Sequence, residues 1–222
     1  MPSFDTIRQD SDNRNLVRKI QKAMAFIAPT SVALPTTLFM AAGALIDLKA
    51  VGWLPAGIVT PDGYEFGRDI SSDDVAGLGY AGPVRSDISG VARSVTFTAA
   101  ETGRKHMLEL EYGTDLTAVK QGLANGEIII DEPDLPVGRE YRLLVIGIDG
   151  PADNQWILGR GYGLVKLAST GSQKWGSGDG VQHSYTLNVF TDDAIGTPVK
   201  HYIGGTGAVK QKLALGFAQG TV

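Results

Sequence analysis

PVRSDISGVARSVTFTAAETGRKHMLELEYG, residues 83–113, decides the fold class. Val95 and Phe97 alternate with Ser94, Thr96 and Thr98, the period of a half-buried strand. The period then lengthens. Thr98 and Glu101 stand at capping-box spacing, so the spacing predicts a helix over about 99–112 with Thr98 as N-cap and Glu101 folding back onto it. Ala100, Gly103, Met107 and Leu110 make its apolar stripe, and Glu101, Lys105 and Glu109 make a solvated ion-pair ladder opposite. Gly113 suits the left-handed residue that ends a helix. A helix leaving a strand is expected to pack on a sheet, with Gly103 letting it lie close.

The rest of the chain is β-rich. Its 222 residues can bury a sizeable core, and 43% are apolar. Twenty-nine glycines and ten prolines call for many turns, hence a mainly β fold. With no cysteine there is no disulfide, no thiol nucleophile and no thiolate metal site. A net charge of -4 argues against a general nucleic-acid binder. Residues 23–46 carry no charge, but Pro29, Pro35 and four hydroxyl residues (Thr30, Ser31, Thr36 and Thr37) break a membrane span, and a buried strand plus a loop is expected there. The charged stretch before it, with Asp5, Asp10 and Asp12, does not read as a signal peptide.

Taken in order, residues 12–27 read as a helix capped by Asp12 or Asn13, with Leu16, Ile20, Ala23 and Ile27 on one face and Pro29 beyond. Over residues 1–28, Arg8, Arg14, Arg18, Lys19 and Lys22 face three Asp, 5 − 3 = +2. This is either a basic arm that docks on a neighbour or a solvated helix face. Strands are expected at 31–39, 44–51 and 56–60, followed by a Thr60-Pro61-Asp62-Gly63 turn. Residues 69–82, polar and Gly-rich, read as a mobile loop or a frayed strand pair. A short helix over 115–124 carries Leu116, Val119 and Leu123 on one face and ends at Asn125-Gly126. Ile128, Ile129 and Ile130 read as a central strand. Strands at 141–148, 156–167, 183–191 and 199–203 follow, with a Gly/Ser loop at 169–180 and a tail at 206–222 ordered on assembly. No internal repeat or domain linker is present.

Catalytic motifs are incomplete. Gly159-Arg-Gly-Tyr-Gly163 lacks dinucleotide spacing and reads as a strand with glycines. Gly204-Gly-Thr-Gly207 with Lys210 lacks a phosphate-loop core. His106, His183 and His201 are far apart and read as structural or surface residues. Arg14 interrupts a calcium-like start at Asp10, Asp12 and Asn13. No nucleophile elbow occurs, and the acid pairs at 73–74, 131–132 and 192–193 read as solvated. No catalytic, cofactor-binding or metal-binding residue is expected.

APTSVALPTTLF at 28–39, LPAGIVTPDGYEF at 54–66, the quoted central stretch, and FTDDAIGTPVKHYIGG at 190–205 resemble, in this order, the major tail (tail tube) proteins of long-tailed, siphovirus-type bacteriophages. Tyr80 departs from that pattern, standing where similar proteins often carry Trp, and the arm before Ala28 is longer. The resemblance implies an antiparallel β-sandwich or barrel with one flanking α-helix and short extra helices. Its domain divides into an arm at 1–27, a tube domain at 28–205 and a tail at 206–222. It implies hexameric rings stacked into a tube in the virion, assembled in the host cytoplasm with a tape measure protein and a tail terminator. DNA would pass without specific binding, with no membrane, cofactor or catalysis involved. On this reading Asp69, Ser71, Ser72, Asp73, Asp74 and Tyr80 form an inter-ring contact loop. The competing expectation is a monomeric β-sandwich that binds a ligand such as carbohydrate on Trp53, Trp156 and Trp175.

Overall fold

A computed structural model describes residues 2–41, 43–178, 180–218 and 220. Eight strands dominate: β1 Lys22–Pro29, β2 Leu54–Pro55, β3 Val59–Ala76, β4 Pro83–Ala99, β5 Tyr141–Asp149, β6 Trp156–Thr170, β7 His183–Phe190 and β8 Val199–Gly204. The helices are α1 Phe4–Ser11, α2 Lys105–Tyr112 and α3 Thr206–Lys210. All strand pairs are antiparallel, in the order β2-β1-β5-β6-β7-β4-β3, with β8 on the other side of β6. The fold is therefore mainly β, as expected.

Strand β6 belongs to two half-sheets. Residues 156–165 pair with β5, and residues 157–162 also pair with β8. From Leu164 onward the strand pairs with β7, with a register shift between Leu167 and Ser169. One core lies between the halves. It joins Ala25, Ile27, Leu143 and Val145 of one half to Val95, Phe97, Tyr185 and Leu187 of the other, with Met107 and Leu110 of α2 packed in. The opposite face of β1, β5 and β6 is covered by residues 31–53, whose Leu34, Leu38, Leu48 and Trp53 meet Phe26, Leu144, Ile146 and Ile157.

The glycines of β6 explain that cover. A Cβ at Gly159 would lie 2.7 Å from Leu38 and 3.0 Å from Tyr202, and one at Gly161 2.9 Å from Leu34. Bare backbone lets the loop seat against the sheet. Gly159→Val should lower stability by about 1–3 kcal/mol by displacing Leu38; denaturant titration of the variant checks this.

Several expectations are corrected. The helix expected over 12–27 is instead a 3-10 turn at Arg14–Leu16 followed by strand β1. Its apolar residues recur at helical spacing, but Ala25, Phe26, Ile27 and Ala28 are all buried, so pairing with β5 prevails. Strand β1 thus crosses the arm boundary expected at residue 27. The described residues of 31–53 form turns and irregular chain rather than strands, with a bridge between Phe39 and Leu45. Pro61-Asp62-Gly63 lies inside β3 and marks a register shift between Val59 and Tyr64, not a hairpin turn. Residues 115–124 form turns, not a helix, and Ile128 and Ile129 are exposed outside any strand.

The cap at Thr98 is also corrected. Thr98 lies inside β4, opposite Ser184 of β7. Helix α2 starts six residues later with Arg104 at the N-cap position and no side-chain cap. Gly103 precedes the helix, and a Cβ there would meet nothing within 4 Å, so no close approach requires a glycine. The carboxylate of Glu101 accepts instead from Ile58 N–H at 2.9 Å and from Arg104 Nε at 2.6 Å. The long β4–β7 ladder outweighs a local cap. The other end matches expectation: Gly113 is left-handed at φ 58°, and Lys105 pairs with Glu109 at 3.6 Å.

Candidate functional site

Side-chain chemistry is concentrated in two buried polar clusters. Arg142 donates to Asp192 Oδ2 at 2.9 Å and to Val32 O at 2.8 Å, tying β5 to two loops. His183 Nδ1 lies 2.7 Å from Glu111 Oε1, Tyr185 O–H donates to Glu111 Oε2 at 3.1 Å, and Gln173 closes on His183. Burial, reinforced by Glu111, drives the Tyr185 phenol upward. Each cluster joins separate chain segments, as structural braces do, although Arg142 Nε is left without a partner. Among the described residues, no group of three or more His, Asp or Glu is placed to hold a metal. Trp53 and Trp156 are buried in the cores and Trp175 is exposed, so the three do not form a stacking platform.

Of the other histidines, His106 Nε2 meets Pro55 O at 2.8 Å. Burial holds this imidazole below its ordinary 6.5, against the pull of the Pro55 bond. Burial, then Arg160, does the same to His201. A depressed folded pKa contributes stability that is complete above the unfolded value and is lost as pH falls below it. The melting temperature should therefore fall between about pH 7.5 and about pH 5.5, and fall less steeply in His106→Gln. Thermal scans at both pH values check this.

The half-sheet β3-β4-β7-β6 presents a different kind of surface. Its inward residues are the core residues Val95, Phe97, Tyr185 and Leu187. By alternation the outer face carries Ser94, Thr96 and Thr98 of β4 and Ser184, Thr186 and Asn188 of β7. Their pairing, Ser94 with Asn188, Thr96 with Thr186 and Thr98 with Ser184, makes three rows of uncharged polar side chains. Thr96 and Thr186 hydroxyls lie 3.2 Å apart. Glu65 of β3 and Lys166 of β6 flank the rows on opposite sides. Sequence reading assigned Thr98 to a cap and missed this face. Hydroxyls at every second position of two strands were the available signal.

This half-sheet has two open edges. Among the described residues, strand β3 pairs only with β4, and β6 has no partner on its β5 side beyond Val165. Strands β3 and β4 also run far past the core as a two-stranded arm. The arm contains Asp69, Ser71, Ser72, Asp73 and Asp74 in β3, all exposed, with Tyr80 at the tip 73% exposed. Of the two forms expected for residues 69–82, a mobile loop or a frayed strand pair, the structure has the strand pair, an ordered ribbon paired from Ile70↔Val91 to Ala76↔Pro83. Alternation places the exposed Ile70, Ile88 and Val84 on one face, and Asp73, Val75, Arg85 and Asp87 on the other.

The chain exposes 14915 Å². A compact monomer of 23.5 kDa exposes about 9,800 Å². The excess reflects the arm, the N-terminal segment and residues 113–140.

No protein-family model matches the chain, and no curated protein matches it. Chains of several solved assemblies are similar to it, among them the following three. One comes from the sheath-tube complex of an extracellular contractile injection system, PVC, in the extended state; it is 9% identical, with 91% of this chain and 99% of that chain covered and a TM-score of 0.42. A second comes from the tube-terminating cap of the anti-feeding prophage, 11% identical, with 87% and 97% covered and a TM-score of 0.42. The third comes from the virion of a native gene transfer agent particle, 9% identical, with 71% and 92% covered and a TM-score of 0.37. Likenesses of this size assign neither family nor function.

Proposed function

We propose that the chain is a structural, non-catalytic subunit of a tail tube, of the kind that long-tailed, siphovirus-type phages use to deliver their genome. The observation that carries this reading is the surface: about half as much again as a compact monomer of this mass exposes, arranged around two open strand edges. The open β3 edge of one copy pairs with the open distal edge of β6 in the next. Such a head-to-tail contact closes into a ring when the rotation per copy divides a full turn. We assign six copies to the ring from the resemblance of the sequence to tail tube proteins.

The outer face of the joined half-sheets then lines the bore. Its Ser, Thr and Asn rows are uncharged, and the flanking Lys166 is paired with Glu140 at 3.0 Å, so the rows offer phosphates little cationic hold and DNA slides without binding. The arm reaches the next ring, with Asp69, Ser71, Ser72, Asp73, Asp74 and Tyr80 at that contact. A tape measure protein and a tail terminator complete the tail in the virion.

Sedimentation over a concentration series, with electron microscopy of the same samples, tests the reading. Rings or tubes that lengthen with concentration are the expected result. A monodisperse monomer at every concentration overturns it and favours a monomeric binding module.

A further inference from the structure

Residues 126–132, Gly-Glu-Ile-Ile-Ile-Asp-Glu, have the composition of a buried strand but no strand to pair with. Ile128 and Ile129 are 52% and 69% exposed. No backbone hydrogen bond joins the amides of Ile128 to Glu132 to any described residue. The loop that carries them is tied at its neck, where Val137 N–H donates to Gly113 O at 3.0 Å and Arg139 pairs with Asp115 at 3.6 Å. It is a tethered, unpaired segment with a strand's composition.

Strand β8 offers a matching vacancy. Among the described residues it pairs with β6 on one side only. Beside it a cleft of about 780 Å³ opens between the half-sheets, lined by Ala23, Phe66, Leu158, Arg160, His201 and Ile203 among others. His201 and Ile203 are exposed on the cleft side. Lys22 and Arg160 make the cleft wall basic, with Asp62 its one acid, and Lys200 adds a positive charge on the other face of β8. Glu127, Asp131 and Glu132 flank the isoleucines. The other long open edge, β3, carries Glu65, Asp69, Asp73 and Asp74 and would repel them.

We propose that residues 126–132 of one copy add as a strand to β8 of a second copy. Main-chain bonds supply the attachment, and alternate side chains supply specificity. Ile128 and Ile130 share one face of an extended segment and enter the cleft. Glu127, Asp131 and Glu132 lie along Lys200, Lys22 and Arg160. The contact uses the half-sheet that does not line the bore, so it does not rest on the tube reading.

The chain has no cysteine, which allows a clean test. Ile130→Cys and His201→Cys chains are prepared separately, mixed and oxidised with copper phenanthroline. The expected product is a disulfide-linked dimer holding one of each. Absence of that dimer, or only the like-with-like dimers of random collision, overturns the proposal. An intrachain link without dimers in the double variant also overturns it, in favour of docking on the same chain. Ile128→Asp should weaken self-association at least tenfold at an unchanged melting temperature; unchanged association overturns the proposal. Lys200→Glu should weaken it too, and Asp131→Lys in the partner should restore it. The cross-link needs no ring, so its failure leaves the tube reading standing.

Discussion

Replacing residues 71–90 with Asn-Gly, so that Ile70 turns directly into Val91, is expected to leave a folded subunit that no longer forms long tubes. Ile70 and Val91 are opposed, so a two-residue turn joins them in register. The removed ribbon contributes nothing to either core; both clusters draw on β3 and β4 only through residues outside the cut. The melting transition should stay close to that of the full chain. The loss should fall on assembly, because each arm removes Ile88, Val84 and Tyr80, which the monomer leaves exposed. A ring carries one arm per subunit, and repeated weak contacts act together, so their joint loss is far larger than any single one. Electron microscopy beside a melting curve reads both outcomes. Normal tubes from the truncated chain would move the stacking contact elsewhere, with the basic N-terminal segment and residues 169–180 the next regions to cut.

The largest loss of stability is expected from Arg142→Ala. The Arg142 and Asp192 side chains are 10% and 12% exposed, and their 2.9 Å contact is shielded from solvent. Removing the guanidinium strands the Asp192 carboxylate and the Val32 carbonyl together. Breaking a buried pair from one side costs about 3–5 kcal/mol. For a chain of this size that is a fall in melting temperature of roughly 6–20 °C. Arg142→Met combined with Asp192→Leu should recover much of the loss, because no charge is then left unpaired. Thermal scans of the single and double variants decide between a lost charge pair and a lost volume.

The second half of the fold was legible in the sequence because its strands carry turn chemistry at their ends. Strands β5 to β8 fall within a few residues of the expected runs, and Gly150 takes the left-handed geometry that the Asp149-Gly150-Pro151 turn requires. The first half was not. Leu16, Ile20, Ala23 and Ile27 recur at helical spacing, yet residues 25–28 are buried on both faces, a condition set by β5 and the 31–53 loop from far along the chain. Thr98 and Glu101 satisfy a capping pattern locally, while register with Ser184 decides the outcome. The hydroxyl face was hidden for the same reason. Thr96 and Thr186 become neighbours only through pairing across 90 residues. Polarity left the arm open between a mobile loop and a frayed strand pair; the pair forms because its two strands satisfy each other's backbone without any core.

Strand β4 is continuous from the tip of the arm to the hydroxyl rows beside β7, and its consequence is mechanical. A pull along the arm loads the β4–β7 ladder from Arg93↔Val189 to Ala99↔His183 parallel to the strands. Ladder bonds lie across that direction, so they bear the load in shear, all at once rather than one after another like a zipper. Tension entering at the tip therefore reaches the centre of the subunit without peeling any edge. Such a subunit behaves under tension like a link in a chain, gripping hardest along the axis in which its arm points.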